Sequence, residues 1–316
     1  MRSLRISLPT LASALVLGAC SAGSGTASAP ALPAAAGGPQ QIAALQRVGA
    51  AFQTYPERAN NARRIKKLYV TNYYDNDVTT YKKDGRKTTP TITGLAGVWG
   101  LAVDVNGKIY VASRGNNTIT TYKADGTQTT PTITGLRGPW GIAVDANGKI
   151  YVCNGNNWMI TTYKADGTQT TPTIAVQAPV SIAVDANGKI YVGSEEGNGK
   201  PGFLSTYNAD GTQTTPTITG VVNPDGVAVD ANGKIYVTNY GNYDHVTTYN
   251  ADGTQTTPTI IAGLHAPTGV AVDDANGKIY VSNYANSTVT TYNKDGTQTP
   301  STIKKGLNEP IALVLH

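Results

Sequence analysis

Asn-Gly-Lys-Ile-Tyr-Val, at positions 106–111, returns intact or eroded along the whole chain after residue 65. Its tyrosines, Tyr69, Tyr110, Tyr151, Tyr191, Tyr236 and Tyr280, stand 41, 41, 40, 45 and 44 residues apart. Self-similarity at that period points to a propeller or a solenoid, because one such unit cannot bury its apolar face without a neighbour. The 316 residues would otherwise suggest two ordinary domains, but the repeat joins most of them into one. Only 14% of residues are charged, and Thr, Gly, Asn and Tyr are abundant, a turn-rich β composition.

Each repeat divides into four short β segments, a to d. In the second unit these are predicted at 100–103, 108–112, 118–122 and 130–134. The Asp-Val-Asn-Gly at 104–107 makes a tight a–b hairpin, with Gly107 available for a positive φ, and Asp125-Gly126 does the same between c and d. Strands alternate in direction, so the a–b and c–d turns share one face and the b–c and d–a loops share the other. Strands b, c and d occur six times, whereas strand a precedes only five of the b copies. The missing a lies at the far end, where residues 310–316 align with 224–230. A ring uses such a lone strand to complete its first blade and leaves no open edge. A solenoid would need dissimilar caps instead.

Gly141-Ile142-Ala143-Val144-Asp145 followed by Gly148-Lys149-Ile150-Tyr151-Val152 resembles NHL repeats. Tyr69-Val70-Thr71-Asn72 and Tyr236-Val237-Thr238-Asn239, each followed by a Val-Thr-Thr-Tyr strand, are similar to YVTN-type propeller repeats. The resemblance covers residues 65–316 and implies an all-β, six-bladed β-propeller with four-stranded blades, the first closed by the C-terminal strand. It is specific for fold and uninformative about activity, since propellers host binding proteins and enzymes alike.

The N-terminal 65 residues are different in kind. Arg2 and Arg5 precede an apolar run, 8–17, that is too short for the ~20 residues of a spanning helix, so residues 1–19 read as a secretory signal. Leu17-Gly18-Ala19-Cys20 resembles the bacterial lipobox, which implies lipidation of Cys20; Ser21 after it resembles lipoproteins sent to an outer membrane. Residues 20–39 are Ala, Gly, Ser and Pro without charge, a flexible tether. Ile42, Leu45, Val48 and Phe52 fall at helical spacing, so 40–64 reads as a short helical segment and linker, packed on the domain or lying on lipid. Losing the signal leaves 23 basic against 20 acidic residues, a net +3 that is too weak to argue for nucleic acid.

Several tempting residues have structural explanations. Asp104, Asp145, Asp185, Asp230 and Asp273 each open an a–b hairpin, where Asp accepts local backbone hydrogen bonds. Cys153 follows Ile-Tyr-Val in a column of Thr71, Ala112, Gly193, Thr238 and Ser282, and reads as small buried filler. Asn72, Ser113, Asn154, Ser194, Asn239 and Asn283 read as caps of the b–c loops.

The copies diverge on the opposite face. Its b–c loops carry Tyr73, Tyr74 and Asp75; Arg114; Trp158 and Met159; Glu195, Glu196 and Lys200; Tyr243, Asp244 and His245. Loops on a rigid scaffold are the usual carriers of recognition. The d–a junctions add a ring of Trp99, Trp140, Val180, Asp225, Thr268 and Ile311, expected around the channel mouth. Two adjacent Trp and one Asp could bind a planar or cationic group, or the indoles could simply plug the channel.

Two functional classes follow. The first is a monomeric, lipid-tethered recognition module without cofactor, which presents Trp99, Trp140, Asp225, Thr268, Arg114, Trp158, Glu195, Glu196 and His245 to a protein or envelope ligand. The second is implied by resemblance: gluconolactonase-like hydrolases and streptogramin lyases are metal-dependent propellers. His245 with Glu195 or Glu196 would be a reasonable acid–base pair, but no catalytic motif supports it.

Overall fold

The computed structural model describes residues 67–196, 201–241 and 244–316. The expected signal, Cys20, tether and N-terminal helix lie outside these residues, as do Lys200 and Tyr243. β1 (Lys67–Asn72), β2 (Asp77–Lys82) and β3 (Lys87–Ile92) begin the first blade. The second is β4 (Val98–Val103), β5 (Ile109–Ser113), β6 (Thr118–Tyr122) and β7 (Gln128–Ile133), and the third β8 (Pro139–Val144), β9 (Ile150–Asn154), β10 (Met159–Tyr163) and β11 (Gln169–Ala175). The fourth comprises β12 (Pro179–Val184), β13 (Ile190–Ser194), β14 (Gly202–Tyr207) and β15 (Gln213–Val221); the fifth β16 (Val227–Val229), β17 (Ile235–Asn239), β18 (His245–Tyr249) and β19 (Gln255–Ile260). The sixth is β20 (Pro267–Asp273), β21 (Lys278–Asn283), β22 (Thr288–Asn293) and β23 (Gln298–Ile303), and β24 (Pro310–Leu315) returns to pair with β1.

The result is six four-stranded antiparallel sheets, the first ordered β24-β1-β2-β3. Closure by the C-terminal strand is thus the architecture expected from the strand count. Strand c of the second unit falls where the sequence placed it, 118–122, whereas strand a starts earlier, because Val98 already pairs with Ser113.

The core lies between blades. Ile-Tyr-Val and its flanking aliphatic residues form six buried clusters, each shared by two neighbouring sheets. β24 shows why the ring needs its last strand. Side chains alternate across a strand, so Leu313 and Leu315 pack into the cluster shared with the sixth blade while Ala312 and Val314 pack into the one shared with the second.

The repeated face is pinned by the Asp column. Asp104 Oδ1 accepts from the Asn106 and Lys108 backbone N–H groups at 2.8 and 2.9 Å, and its Oδ2 accepts from the Tyr110 hydroxyl at 3.2 Å. Asp145–Tyr151, Asp185–Tyr191 and Asp230–Tyr236 repeat that pin at 3.2–3.3 Å. The tyrosine of the motif therefore fastens its own hairpin as well as filling the core.

The small-residue column has a further task. Thr71, Thr238 and Ser282 donate to the carbonyls of Trp99, Thr268 and Ile311 in the next blade, at 3.0, 3.0 and 2.8 Å. Cys153 follows the pattern weakly, its thiol 3.8 Å from the Ser181 carbonyl. At Gly193 a Cβ would collide with Ser181 Oγ, which donates to the Pro224 carbonyl instead.

Candidate functional site

The d–a junctions converge on one end of the channel because each enters strand a through a tight turn. The residue two before the ring position has positive φ in all six blades: Gly97, Gly138, Ala178, Asn223, Ala266 and Glu309. The last residue of the preceding b–c loop caps this turn. Asn76 Oδ1 accepts from the Gly97 N–H; Asn117 Oδ1 from Gly138 at 2.7 Å, Asp244 Oδ2 from Ala266 at 2.6 Å and Ser287 Oγ from Glu309 at 3.1 Å.

In the third blade this capping column holds Trp158. It keeps the left-handed backbone of its Asn siblings, φ 60° against 52° and 54°, a conformation that Asn tolerates and a bulky residue does not. Its side chain has no oxygen to offer Ala178 and is 56% exposed. The Ala178 carbonyl accepts from the Glu195 N–H, 3.1 Å away, as the corresponding carbonyls of Gly97, Gly138, Ala266 and Glu309 accept from their own b–c loops, so Trp158 and Glu195 flank the same junction.

The cavity inside the mouth has a volume of about 80 Å³ and is lined by Trp99, Trp140, Val180, Asp225 and Ile311 with the small residues that follow them. Val180, Thr268 and Ile311 are buried, which leaves Trp99, Trp140 and Asp225 as the ring members with accessible surface. Thr268 departs from the expected ring: its hydroxyl turns into the wall, to the Pro310 carbonyl at 2.9 Å and Ser282 Oγ at 3.1 Å.

The two indoles lie against each other, tilted by 35° with centroids 5.0 Å apart, and Tyr73 meets Trp99 edge-on at 5.6 Å. Arg114, from the loop above, sets its guanidinium 4.8 Å from the Trp140 ring and 5.7 Å from the Trp99 ring. An internal cation thus already occupies the faces that the sequence offered to a ligand. Trp140 Nε1 is buried without a hydrogen-bond partner among the described residues.

Across the mouth the charge is acidic. Asp225 is closely enclosed by protein except toward the cavity; this burial and then the negative charge of Glu195 push its carboxyl up to about 8. Burial raises Glu195 as well. The charge that acts on Asp225 from the loops is thus that of Glu195. Glu196 and Arg114 are exposed, and His245 opens β18 half-buried. Sequence reading missed Tyr240, Tyr284 and Glu309: the Tyr284 hydroxyl is raised by burial, then by hydrogen bonding to Glu309, with Tyr73 and Tyr240 beside it. The chain-closing turn hid Glu309.

Cys153 is fully buried, and burial pushes its thiol far above the ordinary range. Among the described residues no three His, Cys, Asp or Glu side chains converge as a metal site.

The NHL repeat family matches residues 136–157. No curated protein matches the sequence. Among solved structures, a chain of the nidogen/laminin complex is 17% identical, with a TM-score of 0.66 over 79% of this chain and 98% of that one. Streptogramin B lyase is also 17% identical, TM-score 0.59, covering 79% and 90%. The gluconolactonase XC5397 from Xanthomonas campestris, again 17% identical, gives 0.55 over 67% and 78%. Likeness at this identity establishes architecture alone. The described residues form an all-β, six-bladed β-propeller, and a stretch reaching into its third blade matches the NHL repeat.

Proposed function

We propose that this propeller is a non-catalytic recognition module, tethered to the cell envelope of a bacterium through lipid on Cys20 and presenting its b–c and d–a loops to a protein or envelope ligand. The observation that carries the reading is the shape of the mouth. A cavity of about 80 Å³ is well below the ~300–1,000 Å³ usual for small-molecule sites, while the rim around it exposes Tyr74, Tyr240 and Trp158. A narrow socket under a wide aromatic rim suits a protruding side chain on a larger partner. One of the similar folds comes from a two-protein complex, which is consistent with this use of a propeller.

The test is capture from envelope extracts, comparing wild type with a Trp158→Ser, Glu195→Gln, His245→Ala variant. Partners retained equally by both would place recognition elsewhere. Globomycin-sensitive processing and loss of membrane association in Cys20→Ala test the tether.

The second reading, a metal-dependent lyase or lactonase, draws on one observation, the coupled Asp225–Glu195 carboxylates at the channel mouth. Calorimetric titration with Mg²⁺ or Ca²⁺ addresses it: tight binding abolished by Asp225→Asn would favour the enzyme.

A further inference from the structure

The charges around the mouth are unevenly matched. Arg114 is engaged with two indoles, and Glu309 with the Tyr284 hydroxyl. Asp225 and Glu195 are left: among the described residues neither carboxylate has a hydrogen-bond donor or a cation, and the charge acting on Asp225 is that of another acid. Enclosed carboxylates ordinarily find such partners, since an unpaired buried charge is costly. Asp225 lines the cavity; Glu195 is near enough for its charge to act on Asp225, and Glu196, next in the chain, is exposed.

The aromatic component is independent of that pair. Trp158 has displaced a capping oxygen that four other blades retain, in a backbone region unfavourable for it, and still directs its ring to solvent. Strain at an exposed position is maintained where it serves something other than folding. An indole and a carboxylate, Trp158 and Glu195, flank one junction, and Glu195 acts in turn on Asp225; such a set recognises an organic cation through cation–π attraction and charge-assisted hydrogen bonds.

We infer that the blade three to five side of the mouth, formed by Trp158, Glu195, Glu196 and Asp225, is a socket for a lysine or arginine side chain borne by a protein partner. This deepens the recognition reading and rests on it. The socket takes one basic side chain end-on: the ammonium or guanidinium reaches Asp225, and the chain bearing it crosses Trp158 and Glu195. Arg114 sets the orientation, since it repels a second positive charge from the Trp99–Trp140 side.

The chain's three tryptophans, Trp99, Trp140 and Trp158, all lie on this face, so tryptophan fluorescence, excited selectively over tyrosine, reports on it alone. The probes are pentalysine, pentaarginine and pentaglutamate, titrated at low salt and pH 8.5, where Asp225 is ionised. The basic peptides are expected to change the emission saturably and pentaglutamate to leave it unchanged. Asp225→Asn with Glu195→Gln, checked for native circular dichroism, weakens the basic peptides at least tenfold, and Trp158→Asn weakens them with both carboxylates intact.

Equal affinity in the folded double variant would overturn the socket, as would preference for pentaglutamate. A response to Mg²⁺ or Ca²⁺ without one to basic peptides would assign the carboxylates to a metal, and it too overturns the inference. Silence toward every peptide while the envelope capture still depends on Trp158 and His245 would reject the basic side chain but keep the recognising face. Loss of that dependence would reject the face itself.

Discussion

Replacing Asp225 by Asn should stabilise the protein, and the gain should depend on pH. The carboxyl is held at about 8 against an ordinary 3.8, so between those values the native state keeps a proton that the unfolded chain releases. Where the native state binds more protons, unfolding free energy falls as pH rises. The Asp225 contribution is therefore fully present below pH ~4 and lost progressively up to pH ~8. About three units of that interval lie below pH 7, and at 1.36 kcal/mol per unit the ceiling there is ~4 kcal/mol. Asp225 keeps some accessible surface, which screens the charge, so about 2 kcal/mol is the working figure. Asn mimics the protonated acid and escapes the penalty. Thermal melts of both proteins should coincide near pH 4.5 and separate by roughly 4–8 °C at pH 7, given ~2–4 °C per kcal/mol for a domain of this size. Glu195→Gln, which removes the neighbouring charge, should shrink the difference. If the two curves ran parallel from pH 5 to 9, or if Asn were the less stable at pH 8, the carboxyl would not be enclosed and coupled as described.

Other substitutions test other parts of the structure. Leu313→Ala removes a 7%-exposed side chain that joins the first and sixth blades; a loss of about 2–5 kcal/mol is expected, and a urea midpoint equal to wild type would mean the last strand is not part of the core. Trp158→Asn restores the capping oxygen and suits the left-handed backbone, so it should stabilise by about 1 kcal/mol; a lower melting temperature would show the indole to be structural. Gly126→Ala puts a Cβ 2.5 Å from Pro90 Cβ at a φ of 89°, which should cost about 2 kcal/mol or more, read as a lowered melting temperature. Cys153 should resist Ellman's reagent in the native protein and react only on unfolding, followed by peptide mapping.

The fold was legible because its determinants are local and repeated: a turn, a β-branched and aromatic strand, and a turn again, six times. Strand c of the second unit was placed to the residue, and the closing strand followed from a count. Strand a began earlier than expected because Val98 pairs with Ser113 across an irregularity before Leu101, and the Thr71 hydroxyl holds the Trp99 carbonyl; both contacts are with residues distant in sequence. The ring of junction residues was legible as positions, but not as chemistry. Arg114 on the indoles is a contact between loops of different blades, and Thr268 turns away because Ser282 and Pro310 offer its hydroxyl better partners than the channel does. Trp158 was visible as an unusual residue, whereas its meaning lay in the capping oxygen it replaced.

The two faces of the ring differ in how they treat their acids. On the repeated face Asp125, Asp166, Asp210, Asp252 and Asp295 are all held below the usual carboxylate range by hydrogen bonds from the threonine two residues on. Each of these charges is met by its own turn. On the other face Glu195 and Asp225 are pushed up, Trp140 Nε1 and Ser194 Oγ are buried without partners among the described residues, and Trp158 sits in a backbone it does not favour. With six inter-blade cores carrying stability, such defects can accumulate on one rim without loss of the fold. Their confinement to the rim where the repeats diverge is what folding does not explain. A surface shaped only by drift would lose polar partners on both faces, and here the repeated face has kept its acids satisfied.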